Sequence, residues 1–106
     1  MRKLEEFTWC ADRLRAIGDP ERLRLIVALL EGPKHVGALV EEVGDPIVKV
    51  SHHLGVLRNA GIVQTTKQGR YVLYALHPEI FAVVNRTDAE HYLDLGCCRL
   101  ELPPEG

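Results

Sequence analysis

Near one end the chain reads Leu93-Asp94-Leu95-Gly96-Cys97-Cys98-Arg99-Leu100-Glu101-Leu102, and its third cysteine is Cys10. Three thiolates form a soft donor set, which favours Cu(I), zinc and other sulfur-seeking ions over hard cations such as Mg²⁺. Trivalent arsenic or antimony prefers three sulfurs in a pyramid and needs no fourth ligand, so Cys10, Cys97 and Cys98 suit it. A structural zinc site closes with four ligands, and His91 is the residue placed to supply the fourth. The same thiols could instead form an oxidation switch, or simply pack as small apolar side chains, as free cysteines often do.

Whether adjacent cysteines can share one ion depends on the backbone that carries them. In a regular strand consecutive side chains point to opposite faces. The apolar pattern changes parity here, from Leu93, Leu95 and Cys97 to Cys98, Leu100 and Leu102. That phase slip predicts a β-bulge beside Gly96, with both thiols facing the first helix. A helix also accommodates the leucines. Gly96 and the alternation Leu100-Glu101-Leu102-Pro103 favour an extended tail.

A second chemistry lies in mid-chain. Net charge is -2, yet Pro46 to Ala75 holds Lys49, Arg58, Lys67 and Arg70 with no acid, leaving an acidic remainder. A basic segment on an acidic body is how a small module can bind DNA while its overall charge stays near neutral.

The elements that position these residues follow from caps and periodicity. Leu4, Phe7, Cys10, Ala11, Leu14 and Ile17 predict an amphipathic first helix ending near Gly18. Asp19-Pro20 opens a second helix that stops at Gly32-Pro33, its buried face predicted as Leu23, Ile26, Val27 and Leu30. A short third helix spans His35 to Val43, and a fourth runs from Asp45-Pro46 to Asn59-Ala60-Gly61. Two β-rich runs, IVQTTK and RYVLYAL, then meet through Lys67-Gln68-Gly69-Arg70 as a hairpin. The segment PEIFAVVN reads as a further short helix. This layout, mainly α with a small β-hairpin wing, is that of a winged helix-turn-helix.

In the fourth helix Val50, Leu54 and Leu57 form one inward stripe, which turns Lys49, Ser51, His52 and Arg58 outward. An α-helix fits the major groove, where such donors meet base edges and phosphates. Lys67, Gln68 and Arg70 at the hairpin tip would reach the flanking backbone or minor groove. The alternative is a solvated face and an ordinary charged turn. His53, beside Leu54, reads as a buried structural histidine. His52 and His53 make a poor metal pair because neighbouring helical residues point about 100° apart.

The stretch VKVSHHLGVLRNAGIVQTTKQGRYVLYAL resembles the core of the ArsR/SmtB family, through Ser51, His53, Leu54, Leu57, Ala60, Gly61, Ile62, Val63, Gly69, Arg70 and Tyr74. Upstream, Ile17-Gly18-Asp19-Pro20-Glu21-Arg22-Leu23-Arg24-Leu25 is similar to the family's opening motif. The resemblance covers residues 14 to 77. It implies a dimeric repressor that binds a double-stranded DNA operator and is released by a metal, metalloid or redox signal. Of the family's two common sensor positions, the Cys-x-Cys pair is replaced here by Gly37-Ala38-Leu39-Val40. The Asp/His/Glu set is incomplete, with Asp88 and His91 but no second histidine after them. That leaves the cysteines as the expected input.

At 106 residues a single winged helix-turn-helix domain over 1–106 is expected, with 14–77 as the DNA-binding core and 1–17 and 78–106 as dimerisation and sensing segments. A chain this small gains from a homodimeric partner. No apolar run approaches the roughly 20 residues that span a bilayer, so no membrane partner is expected. The opening MRKLEEFTWCADRL lacks a signal peptide's apolar stretch, which predicts a cytoplasmic protein with its cysteines as thiols. Folding should require no cofactor, with arsenite, antimonite or a soft ion acting as inducer. A DNA-binding regulator without any effector is the competing reading. An enzyme is not expected, because there is no C-x-x-C motif, Gly-rich phosphate loop or evident base beside a thiol.

Overall fold

A computed structural model describes residues 3–85 and 90–102, with the backbone alone for 81–85, 90 and 91. Four helices come first among the described residues: α1 (Leu4–Ile17), α2 (Pro20–Leu30), α3 (Val36–Val43) and α4 (Ile47–Asn59). Their ends follow local chemistry. Asp19 Oδ1 accepts the backbone N–H groups of Glu21 at 2.9 Å and Arg22 at 3.1 Å, and Pro20 occupies the first turn of α2. At the end of α3, Gly44 adopts φ 76°, a left-handed conformation that costs other residues more.

The wing is a three-stranded antiparallel sheet in the order β1-β3-β2, formed by β1 (Lys34–His35), β2 (Val63–Gln68) and β3 (Tyr71–Leu76). Gln68 pairs with Tyr71, so Gly69 and Arg70 form the tip. The short β1, paired to β3 through Lys34 and His35, has no apolar alternation to announce it. Behind the wing, Leu25, Ile26, Leu39, Leu54, Leu57 and Ile62 form the core where α2, α3 and α4 meet. Together these elements make the winged helix-turn-helix.

The structure departs from the sequence expectations at three elements. PEIFAVVN is not a helix: β4 (Phe81–Asn85) pairs antiparallel with β5 (Glu90–Asp94), which pairs with β6 (Arg99–Leu102). The β-branched pair Val83-Val84 suits that strand better than a helix. On α2 the buried residues are Leu25, Ile26, Ala28 and Leu29, so the inward face is rotated from the predicted stripe and Leu23, Val27 and Leu30 lie at its margins. On α1 the face turned inward is Cys10, Arg13, Ala16 and Ile17, leaving Leu4, Phe7 and Leu14 exposed.

Leu54 is 0% exposed and Val48, on the same helix, is 79% exposed. Leu54→Ala should lower the unfolding free energy by about 2–5 kcal/mol through lost burial and the cavity left behind. Val48→Ala should change it by no more than about 0.5 kcal/mol. Urea denaturation of the two variants checks both values.

Candidate functional site

The parity change at Gly96-Cys97-Cys98 has a different origin from the predicted bulge. Asp94 pairs with Arg99 and Leu93 with Leu100, so residues 95–98 are the loop of a hairpin, and odd positions in β5 face even positions in β6. The register irregularity of this sheet lies in β4, between Val83 and Asn85. The turn closes through Leu95 N–H to Cys98 O at 2.9 Å and Gly96 N–H to Asp94 Oδ1 at 2.9 Å. Gly96 takes φ 95°, and a Cβ there would stand 3.0 Å from Trp9 Cζ3 on α1. Glycine thus satisfies both the turn and the close approach of α1.

That approach brings the cysteines together. Cys10 and Cys97 are joined by a disulfide, with Cα atoms 6.1 Å apart. Three free thiols were expected; the pairing follows from a Cα separation within the range that disulfides span. Cys98 remains a thiol and is exposed, its Sγ 4.0 Å from Cys10 Sγ and 3.7 Å from Cys97 Sγ. All three sulfurs lie within 4.8 Å of one another. The two hairpin cysteines therefore turn to the same side, towards the first helix. With the disulfide reduced, α1 and the turn present three sulfurs to one point, a donor set suited to a soft ion or trivalent metalloid. Asp88 lies outside the described residues, as does the side chain of His91.

The surroundings of the cluster went unseen in the sequence. Arg13, one turn beyond Cys10 on α1, is 6% exposed, with its guanidinium 3.2 Å from the centre of the Trp9 ring. Burial lowers its pKa, opposed by the charges of Glu79 and Asp94. A cavity of about 290 Å³ beside the turn is lined by Glu6, Trp9, Gly96 and Cys97.

In the DNA-binding module, α4 buries Val50, His53, Leu54 and Leu57. Lys49, Ser51, His52 and Arg58 are exposed, as are Lys67, Gln68 and Arg70 at the wing tip. Lys49 has a partner there: its Nζ lies 2.5 Å from Glu21 Oε1. The other carboxylate oxygen, Oε2, lies 2.6 Å from His53 Nε2, and His53 Nδ1 lies 3.2 Å from Arg22 Nη1. A guanidinium only donates, so Nδ1 accepts and Nε2 carries the proton given to Glu21. Arg22 Nε also donates to Ala16 O of α1 at 2.5 Å. The hydrogen bond from Lys49 is the main cause holding the Glu21 carboxyl below its ordinary range, and Glu21 in turn raises Lys49. Asp19, Glu21 and His53 are close enough to share an ion. Asp19 Oδ1, both Glu21 oxygens and both His53 ring nitrogens already have partners, so this set reads as a structural network. His53 was legible from its place beside Leu54; Glu21 and Arg22 were visible only as part of the opening motif.

Comparison with known proteins agrees with the winged helix-turn-helix fold. The family model for bacterial regulatory proteins of the arsR family matches residues 19–65. An uncharacterized HTH-type transcriptional regulator of Methanocaldococcus jannaschii is 36% identical over 72 residues, covering 67% of this chain and 81% of that protein. The HTH-type transcriptional regulator CmtR of Mycobacterium tuberculosis is 47% identical over 62 residues, 58% of this chain and 52% of CmtR. This chain thus spans about half the length of the CmtR relatives it matches. An NMR structure described as the cadmium metal-sensor CMTR from M. tuberculosis has a TM-score of 0.57 at 45% identity, covering 63% of this chain and 70% of that one. Reduced HlyU from Vibrio cholerae has a TM-score of 0.65 at 29% identity, covering 69% of this chain and 77% of that one.

Two outcomes check the cysteine geometry. Without reductant, iodoacetamide should add once per native chain, at Cys98 in the peptide map, and three times after reduction and unfolding. Gly96→Ala should destabilise the protein by about 1–3 kcal/mol, through a left-handed alanine pressed against Trp9, and should shift Trp9 emission.

Proposed function

Because this chain belongs to the arsR family of bacterial regulatory proteins, whose members are DNA-binding transcriptional regulators and not enzymes, we propose that it is a homodimeric repressor whose operator is released when a thiol-seeking inducer binds Cys10, Cys97 and Cys98. The observation that carries the reading is the convergence of three sulfurs, from α1 and from the β5–β6 turn, within 4.8 Å. Arsenite or antimonite suits a three-sulfur set that has no further described ligand, and a soft metal ion is the neighbouring choice. CmtR, described as a cadmium sensor, supports the general class of signal.

DNA contact is assigned to Lys49, Ser51, His52 and Arg58 on the recognition helix and to Lys67, Gln68 and Arg70 on the wing. Their exposure on one module, in a segment without acids, supports this. In a dimer two such helices, about 34 Å apart, would meet successive major grooves. The exposed apolar residues Leu4, Phe7 and Leu14 on α1 supply a face for the second copy to cover. No helix among the described residues is long and apolar enough to cross a membrane. Work at the DNA in a reducing cytoplasm fits the proposed three-thiol resting state.

Signal transfer follows from packing. α1 touches α4 directly, so an ion that draws Cys10 towards the turn acts on the recognition helix through one contact. If the liganded dimer no longer matches groove spacing, affinity falls by the coupling free energy, typically ~1–3 kcal/mol. The Cys10–Cys97 disulfide favours a second reading, a redox switch. There, peroxide takes two electrons and two protons from the two thiols, leaving the disulfide and water.

Fluorescence anisotropy on the protein's own upstream DNA separates the readings. Under reductant, arsenite should weaken binding by roughly 5- to 150-fold, and Cys10→Ser should bind DNA normally yet no longer respond. Release by peroxide but not by arsenite, antimonite, Cd²⁺, Zn²⁺ or Cu(I) would select the redox reading. No response to any of them would leave a regulator without an effector at this site.

A further inference from the structure

The contact between Glu21 and Lys49 joins two elements with opposite demands. Lys49 sits on the first turn of α4, where a recognition helix presents its DNA-contacting side chains, and its side chain is 48% exposed, within reach of a phosphate. Glu21 belongs to the first turn of α2, and both of its carboxylate oxygens are engaged, one by Lys49 and one by His53. The ammonium of Lys49, 2.5 Å from Oε1, is the lysine charge on α4 that faces the carboxylate.

We propose that Glu21 is a built-in competitor for the DNA backbone: its carboxylate holds the Lys49 ammonium in the free protein and must be displaced before Lys49 can meet a phosphate. This rests on the DNA-binding reading above and adds a residue that limits affinity for any duplex. A phosphate that takes Lys49 leaves Glu21 without its counter-charge and close to a second anion, so the exchange returns less than an unpaired lysine would. The loss applies to every sequence alike, because phosphate contacts carry no base information. A site with good base contacts can absorb it, whereas non-specific DNA, held almost entirely by phosphate contacts, cannot. Glu21 thereby lowers affinity for operator and bulk DNA by the same factor, leaving their ratio unchanged while bringing non-specific binding down to the point of release first.

Glu21→Gln isolates the charge. The amide oxygen can still accept the His53 N–H, while the anion facing Lys49 is gone. At about 0.1 M salt, E21Q should bind both the protein's own upstream duplex and a scrambled duplex some five- to tenfold more tightly, the return on one additional phosphate contact. The slope of log K against log salt should steepen by about 0.9. In a K49Q background the E21Q substitution should change neither affinity nor slope.

If E21Q in the full chain binds as the wild type does, or more weakly, the inference is wrong while the DNA-binding reading stands. Equal weakening by E21Q with and without Lys49 would mean that Glu21 only packs α2 against α4, and would also overturn it. Failure of the wild type itself to bind any duplex would remove the DNA-binding reading and this inference together. Thermal melting of each variant distinguishes a change in binding from a change in folding.

Discussion

Cys10 is 1% exposed, and its sulfur sits at the seam where α1 meets the turn between β5 and β6. Chemistry at that sulfur must therefore be felt as a change in packing. The seam is tight: Gly96 leaves no room for a side chain beneath Trp9, and the guanidinium of Arg13 covers the same ring. Well-packed interiors respond to a displaced group by shifting between discrete arrangements. A bond, an ion or a pair of separate thiols at Cys10 and Cys97 would each set a different spacing between α1 and the hairpin.

The DNA module is connected to that seam by two kinds of contact. α1 packs on α4. Arg22 links the Ala16 carbonyl of α1 to His53 of α4, and His53 leads through Glu21 to Lys49. A shift of the C-terminal turn of α1 is thus placed to reach a proposed DNA-contacting lysine through a short polar chain. Physical contiguity of this kind supplies a route for coupling without fixing its size.

Much of this was legible in local chemistry. Asp19-Pro20, Gly44 and the Val50-Leu54-Leu57 stripe are short-range signals, and the helix boundaries they mark agree with the structure to within a few residues. The mutual approach of Cys97 and Cys98 was legible from leucine parity, although a hairpin loop and not a bulge produces it. What could not be read depends on distant partners. Residues 81–85 become a strand by pairing with β5. The exposed side of α1 looks like core in sequence, and only the path of the chain decides which apolar face is covered. Glu21 and His53 are 32 residues apart, and no periodicity announces their hydrogen bond.

In the proposed signal input one inducer atom is held by all three cysteines at once. X-ray absorption of the reduced protein loaded with one equivalent of arsenite tests this directly. Three sulfur neighbours around arsenic, falling to two in Cys98→Ser and in Cys10→Ser, is the predicted result. Fewer than three sulfurs in the wild type, or a coordination number unchanged when Cys10 is replaced, would contradict it.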